Sequence, residues 1–329
     1  MTASTPEQLE QSFCKAEAEG SETPGAIRRR LLPESSLNVF TEVRFPSREW
    51  ALLVHSAEEL EDRDLVLASG LTCRTRTGSV EVVASPETDR FLFCTLLADL
   101  VRQLHVPTAT PTSALVRRLN AWRKMLDRGL PTGLTPEARV GLFGELVALQ
   151  DVLLPAIGSA GITAWVGPSG APKDFVHFST ALEVKTVSRR DSSRCRISSE
   201  HQLDAVTGTD LYLVHQVVAG SQNGASLADV VDELRGDPRV QHERAWFENC
   251  LLEAGWLDAH RDQYVNDRYA LSRRQFFRVG EGFPRLTPSD LPSGVSGVAY
   301  IVDLSDCGSY RVDERSVQSS VAQADKAEG

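Results

Sequence analysis

The stretch LTPEARVGLFGELVALQDVLLP, residues 134–155, is the clearest helix signal in the chain. Thr135 stands as its N-cap, Pro136 at the first helical position and Pro155 as its stop. Leu142, Leu146, Leu149 and Leu153 form an apolar stripe at helical spacing, and Gly141 and Gly144 leave room for a close neighbour. After the Gly/Pro-rich VGPSGAPK come three strand-like runs, DFVHF, ALEVKTV and RCRISS. DLYLVHQVV reads as a mostly buried strand, SLADVVDELRG and RVQHERAWFENCLLEAG as helices, and SGVAYIVDL as a late strand. Helix, strands, helix and strand in that order indicate an α/β domain.

The preceding third of the chain has a different character. NVFTEVRF, REWALLVHS, DLVLAS and a hairpin LTCRTRTGSVEVVAS with its turn at Thr77-Gly78 read as a β-rich module over residues 37–110, closed by the helix PETDRFLFCTLLADLVRQL and the boundary HVPTATPT. The polar, Glu-rich residues 1–36 read as a mobile arm, and DERSVQSSVAQADKAEG, residues 313–329, as a disordered tail. The domain expected to carry chemistry spans residues 111–312, including a helical C-terminal extension.

Composition narrows the function. Six scattered cysteines with no C-x-x-C pair and no Cys/His cluster at zinc spacing read as reduced thiols. The N-terminal MTASTPEQLEQSF has neither a basic nor an apolar leader region, and no eighteen-residue apolar run occurs, so a cytoplasmic protein without a membrane segment is expected. A formal net charge of −10 argues against coating nucleic acid nonspecifically. Charge is nevertheless segregated: residues 185–196 hold Lys185, Arg189, Arg190, Arg194 and Arg196 against Asp191 alone. There are no G-x-x-x-x-G-K-[ST] or G-x-S-x-G motifs, which leaves nucleotide hydrolysis and acyl transfer without support.

Within KDFVHFSTALEVKTVSRR, residues 173–190, strand alternation sends Leu182 and Val184 to the core and puts Glu183 and Lys185 together on the other face. If Asp174 heads the adjacent strand, its carboxylate can meet Glu183, giving two hard oxygen ligands suited to magnesium. Lys185 would then orient an attacking water and counter the charge that develops on a phosphate. Glu145 lies at the edge of its helix's apolar stripe, where a carboxylate needs an arginine, a backbone donor or a metal. An acid–apolar–lysine triplet alone is weak, with about 0.3 expected by chance at this composition. The residues alone are equally compatible with an exposed cross-strand ion pair.

GLFGELVALQDVLLP, AWVGPSGAPKDFVHF, ALEVKTVSRRD and RISSEHQLD together resemble a family of bacterial proteins assigned to the PD-(D/E)XK superfamily, most strongly over residues 135–215. The resemblance implies a restriction-endonuclease-like core, a mixed central sheet flanked by helices. It also implies magnesium- or manganese-dependent DNA cleavage in a restriction or anti-phage system. By the same resemblance Asp174 is the motif aspartate, Glu183 the second acid, Lys185 the lysine, and Glu145 the helix glutamate that some members add to the metal site. Gln202 matches the family pattern after the third strand, with Ser199 beside it as a phosphate contact, and Arg189, Arg190 and Arg194 line the approach of DNA. The motif proline is displaced: Pro172 and Lys173 precede Asp174. Protein partners are expected to supply targeting, because the chain shows no helix-turn-helix or zinc finger. The contrasting expectation is a non-catalytic subunit that binds DNA or a partner with the same fold.

Overall fold

The computed structural model describes residues 5–33, 35, 37–105, 109–127, 133–188, 193–205 and 208–324. The chain divides into two compact units, Met1–Pro131 and Thr132–Gly329.

The first unit contains helix α1 (Pro6–Glu19), strands β1 (Gly25–Arg30), β2 (Asn38–Phe45), β3 (Trp50–His55), β4 (Arg63–Ala68), β5 (Leu71–Arg76) and β6 (Ser79–Ala84), and helices α2 (Arg90–Leu104) and α3 (Pro111–Asp127). The strands form one antiparallel sheet in the order β1-β2-β3-β6-β5-β4. Residues 1–36 are not an arm over their described part. Thr5 and Gln8 close a capping box on α1, and Leu9, Phe13 and Ala16 are buried at the three- and four-residue steps of a core-facing helix. β1 supplies an edge strand whose Arg28–Arg30 run hides the alternation that usually announces one. α3, expected in the second domain, belongs to this unit and anchors there through Arg118, whose guanidinium meets Asp99 at 2.7 and 2.8 Å while Trp122 Nε1 donates to the same carboxylate at 2.7 Å.

The second unit is built on helix α4 (Pro136–Ala148), which continues through a π-turn (Leu149–Leu153) into α5 (Leu154–Ile157), and is followed by α6 (Ala160–Ala164). Then come β7 (Phe175–His177), β8 (Thr180–Val187), β9 (Arg194–Ile197), β10 (Asp210–Ser226), α7 (Leu227–Gly236), α8 (Pro238–His242), α9 (Arg244–Glu253), β11 (Arg268–Val279), β12 (Tyr300–Asp303), β13 (Arg311–Val312) and α10 (Glu314–Ala324). The central sheet runs β13-β11-β10-β8-β7, with β8 and β10 parallel and the other pairs antiparallel. Leu182, Val184, Tyr212 and Val214 face a core shared with α4, α7, α9 and α10. Ala181, Leu211, Leu213, Phe277 and Val279 face a second core, closed by the β9–β12 ribbon through Cys195, Ile197 and Val302. This is a mixed α/β architecture, as expected.

Thr135 caps α4 as expected, accepting from Ala138 N at 3.2 Å. Pro155 does not end the helix. Proline has no N–H for the Asp151 carbonyl, and the π-turn absorbs the mismatch. Gln318 of α10 approaches that carbonyl with Nε2 at 3.4 Å. The segment Pro136–Ile157 is long and apolar enough to cross a membrane by length and composition, yet its leucines fill the protein's own core.

The C-terminal part also differs from expectation. Beyond the helices and the expected late strand, β12, it supplies β11 and β13, and the expected tail forms α10, started by Asp313, which accepts from Ser316 N at 2.8 Å. Val317 and Val321 of α10 are fully buried in the α4 core. Val321→Asp is expected to destabilise the protein by about 3 kcal/mol, the cost of forcing an unpaired charge into a packed core. A denaturant titration unchanged from wild type would return residues 313–324 to the status of a tail.

Candidate active site

β7 is only three residues long and pairs with β8 no further than Phe175 opposite Leu182. Among the described residues no strand pairs with the outer edge of β8 beyond Leu182, and Asp174, just before β7, bonds that edge. Its Oδ2 accepts from Val184 N at 2.7 Å, so a side chain takes over the ladder bond that a longer β7 would have made. The Asp174 carbonyl accepts from both Val166 N and Gly167 N at 2.9 Å. A Cβ on Gly167 would stand 2.8 Å from Asp174 Oδ1 and 3.0 Å from its Cα, so only glycine lets the 166–167 turn come this close.

Glu183 and Lys185 share one face of β8, as strand alternation requires. Glu183 is fully buried, and Lys185 Nζ lies 2.6 Å from its Oε1. Neither Glu183 oxygen has a well-aligned hydrogen bond among the described residues. Glu145 approaches from α4, with its Oε2 accepting from Trp165 Nε1 at 2.8 Å. α4 can lie this near β8 because Gly144 faces Thr186: a Cβ on Gly144 would overlap Thr186 Oγ1 at 1.7 Å.

The electrostatics follow from crowding acids in a dry place. Burial and then repulsion from Asp174 push the Glu183 carboxyl up to about 8, against the pull of Lys185. Burial raises Asp174, opposed by Lys185 and by the Val184 N–H. Glu145 is driven well above the carboxylate range by burial and by Asp174, despite the Trp165 hydrogen bond. Burial alone would depress Lys185, but Glu183 and Asp174 outweigh it and hold the ammonium charged.

Of the expected catalytic residues Glu145, Asp174, Glu183, Lys185 and Gln202, the first four are thus brought under one another's charge. They do not form a closed three-carboxylate cage: among the described residues no three His, Cys, Asp or Glu side chains are close enough to hold a metal ion as they stand. The expected three-carboxylate ligand set of Asp174, Glu183 and Glu145 thus finds no support as the side chains stand, and Glu145 is held by Trp165. Two carboxylates suit magnesium, which keeps much of its water shell. Glu183, with a buried oxygen that nothing satisfies, fits such an ion.

The remaining expectations fare differently. Gln202 turns inward on its own loop, its Oε1 accepting from Ser198 N at 2.7 Å, and no hydrogen bond joins it to the carboxylates or Lys185 among the described residues. Ser199 Oγ accepts from His201 N at 3.2 Å. Arg194 lies exposed on the outward side of β9, with Nε 4.0 Å from Asp303. Arg189 and Arg190 fall outside the described residues.

Sequence reasoning missed the supports of this site. Lys173 is nearly buried and donates to the His201 carbonyl, tying the head of β7 to the turn after β9, where Glu200 accepts from Gly297 N and Val298 N at 3.0 and 2.9 Å. Trp165 is fully buried, bridged to Phe175 and packed on Phe247. A tryptophan and a glycine two residues apart, shortly before the motif aspartate, were the available signal. Residues 9–305 match the model of a family described as "Putative PD-(D/E)XK family member, (DUF4420)". The chain belongs to this family. Membership in DUF4420 accounts for the mixed α/β sheet and gives the chain a nuclease-like fold. No curated protein and no solved structure matches the chain.

The raised Glu183 carboxyl has a measurable consequence. The folded chain keeps this proton between the usual 4.5 and about 8, whereas the unfolded chain releases it near 4.5. The stability it contributes is therefore fully present below about pH 4.5 and is lost as pH rises towards 8. In metal-free buffer the melting temperature of wild type is expected to fall relative to Glu183→Gln between about pH 5 and 8. Parallel pH profiles would show that Glu183 ionises as freely in the folded chain as in the unfolded one.

Proposed function

We propose that this protein hydrolyses phosphodiester bonds of DNA with a divalent cation, magnesium or manganese, held by Asp174 and Glu183. The observation that carries this reading is the fully buried Glu183, which has one ammonium for a neighbour and an oxygen without a donor, next to a second carboxylate. A purely structural ion pair would be expected to satisfy both oxygens or to sit in water, because an unsatisfied buried acceptor costs about 1–3 kcal/mol. The cation, when bound, would supply Lewis-acid polarisation of the phosphate and a more acidic water.

The chain's own groups divide the remaining work. Asp174 is fixed through Oδ2 by the Val184 N–H, which leaves its other oxygen for the cation. Lys185, 18% exposed and 2.6 Å from Glu183, is the cation assigned to the attacking water. Its ammonium orients that water and offsets the charge gathering on phosphorus. The attacking water gives up a proton to solvent as its oxygen bonds to phosphorus and the bond to one sugar oxygen breaks, and the leaving alkoxide takes up a proton from solvent. Burial and Asp174 disfavour the ionised form of Glu145, which limits the negative charge gathered at the site. Exposed Arg194 and Arg196 on β9 give this acidic chain a local basic surface for phosphates. Targeting is assigned to partner proteins of a bacterial restriction or anti-phage system, in keeping with a chain that carries no sequence reader of its own.

Lys185→Ala is expected to fold normally and to bind the cation, since an ammonium is not a ligand, but to lose about a hundredfold or more in cleavage rate. Asp174→Ala is expected to lose both cation binding and cleavage. The assay is DNA cleavage or phage restriction with the neighbouring subunits present. If both variants match wild type there, the fold serves binding rather than hydrolysis.

A further inference from the structure

Behind the carboxylates, on the helix side of the sheet, a single amide joins the two elements that bear the site. Gln216 is fully buried in the middle of β10. Its Nε2 donates at 2.8 Å to the carbonyl of Gly144, the residue before Glu145. The same nitrogen is 3.5 Å from Oγ1 of Thr186, the residue after Lys185. Its Oε1 accepts from Arg274 Nε at 3.0 Å, and Arg274 donates in turn to Asp151 of the π-turn at 2.7 Å.

The fold alone does not ask for an amide here. Gln216 stands in a strand of Tyr212, Val214 and Val218 that packs into the α4 core, where leucine or methionine would bury as well. The Gly144 carbonyl already lies within a helix, and Arg274 retains Asp151 without Gln216. What the amide adds is direction. Apolar packing tolerates a helix sliding along a strand, whereas two hydrogen bonds from one nitrogen fix their relative height. The Gly144–Thr186 approach leaves no room for a side chain to set that height instead.

We propose that Gln216 is a positioning residue that holds Glu145 of α4 at a fixed height over the Asp174–Glu183–Lys185 edge of β8. What that edge does rests on the nuclease reading; the positional role does not. Gln216 lies on the opposite face of the sheet from Glu183 and Lys185, so it acts on the site through Gly144 and Thr186 without touching substrate.

The test uses the full chain with Gln216→Met, which keeps the length and removes the donor, and Gln216→Glu, which keeps an acceptor for Arg274 while removing the donor to Gly144. Three readouts are taken. The first is the indole N–H resonance of Trp165, assigned with Trp165→Phe, which reports the place of Glu145 through their hydrogen bond. The second is calorimetric titration with magnesium chloride, and the third is steady-state DNA cleavage. We expect folded variants whose Trp165 resonance moves and whose magnesium affinity falls by about tenfold or more. We also expect kcat to fall about ten- to a hundredfold, while KM for DNA and its salt dependence stay at wild-type values. A folded variant with the wild-type Trp165 resonance and magnesium affinity would overturn the proposal. So would loss of the fold in both variants, which would make the amide a determinant of folding rather than of position. If wild type cleaves no DNA, the nuclease reading fails while the resonance still decides the role of Gln216.

Discussion

The second unit is organised around one unfavourable placement, a carboxylate buried in the middle of a central strand with a single ammonium beside it. Glu183 has no exposed surface, and among the described residues Lys185, at 2.6 Å, is the charge partner in direct contact. In so dry a place a bare carboxylate costs several kcal/mol, and one ion pair at the site's edge recovers only part of that. The chain compounds the strain by bringing Asp174 and Glu145 close enough for all three carboxyls to be raised. On the proposed function, such crowding would favour a divalent cation without a closed cage of ligands.

The surrounding structure makes this crowding geometrically possible. β7 stops early, so Asp174 can bond the edge of β8 with a side chain. Gly167 lets the backbone press on Asp174, and Gly144 lets α4 press on Thr186. Trp165 holds Glu145, Lys173 ties the head of β7 to the turn after β9, and the β9–β12 ribbon seals the sheet face below Glu183. Each contact is modest alone. Together they keep three carboxyls in one place beside a lysine, against the repulsion and desolvation that raise them.

Much of this was legible in the sequence, for reasons that also explain the failures. The α4 stripe and the alternation of Leu182, Glu183, Val184 and Lys185 are strong periodic signals, and both placed their residues correctly. Strands β1 and β11 were missed because arginines interrupt their apolar pattern; in β11 Arg274 and Arg278 are satisfied by Asp151 and Asp210, partners distant in sequence. α10 was read as a tail because two buried valines, four residues apart, carry its docking in an otherwise polar stretch. Pro155 was read as a stop because a π-turn cannot be seen in a pattern of residue types. At the site, the charged residues announced themselves. The residues that hold them, Gly144, Gly167, Trp165 and Gln216, look like ordinary core and loop residues until the elements meet.

The central claim is that the Asp174–Glu183 pair is a cation site. It is tested most directly by anomalous diffraction from crystals of the protein soaked in manganese chloride. The account predicts a manganese peak bridged by one oxygen from each carboxylate at about 2.1–2.2 Å, with Lys185 Nζ displaced from Glu183 and the remaining positions filled by water. A well-diffracting soaked crystal with no peak between these residues, and with Lys185 still paired to Glu183, would contradict it.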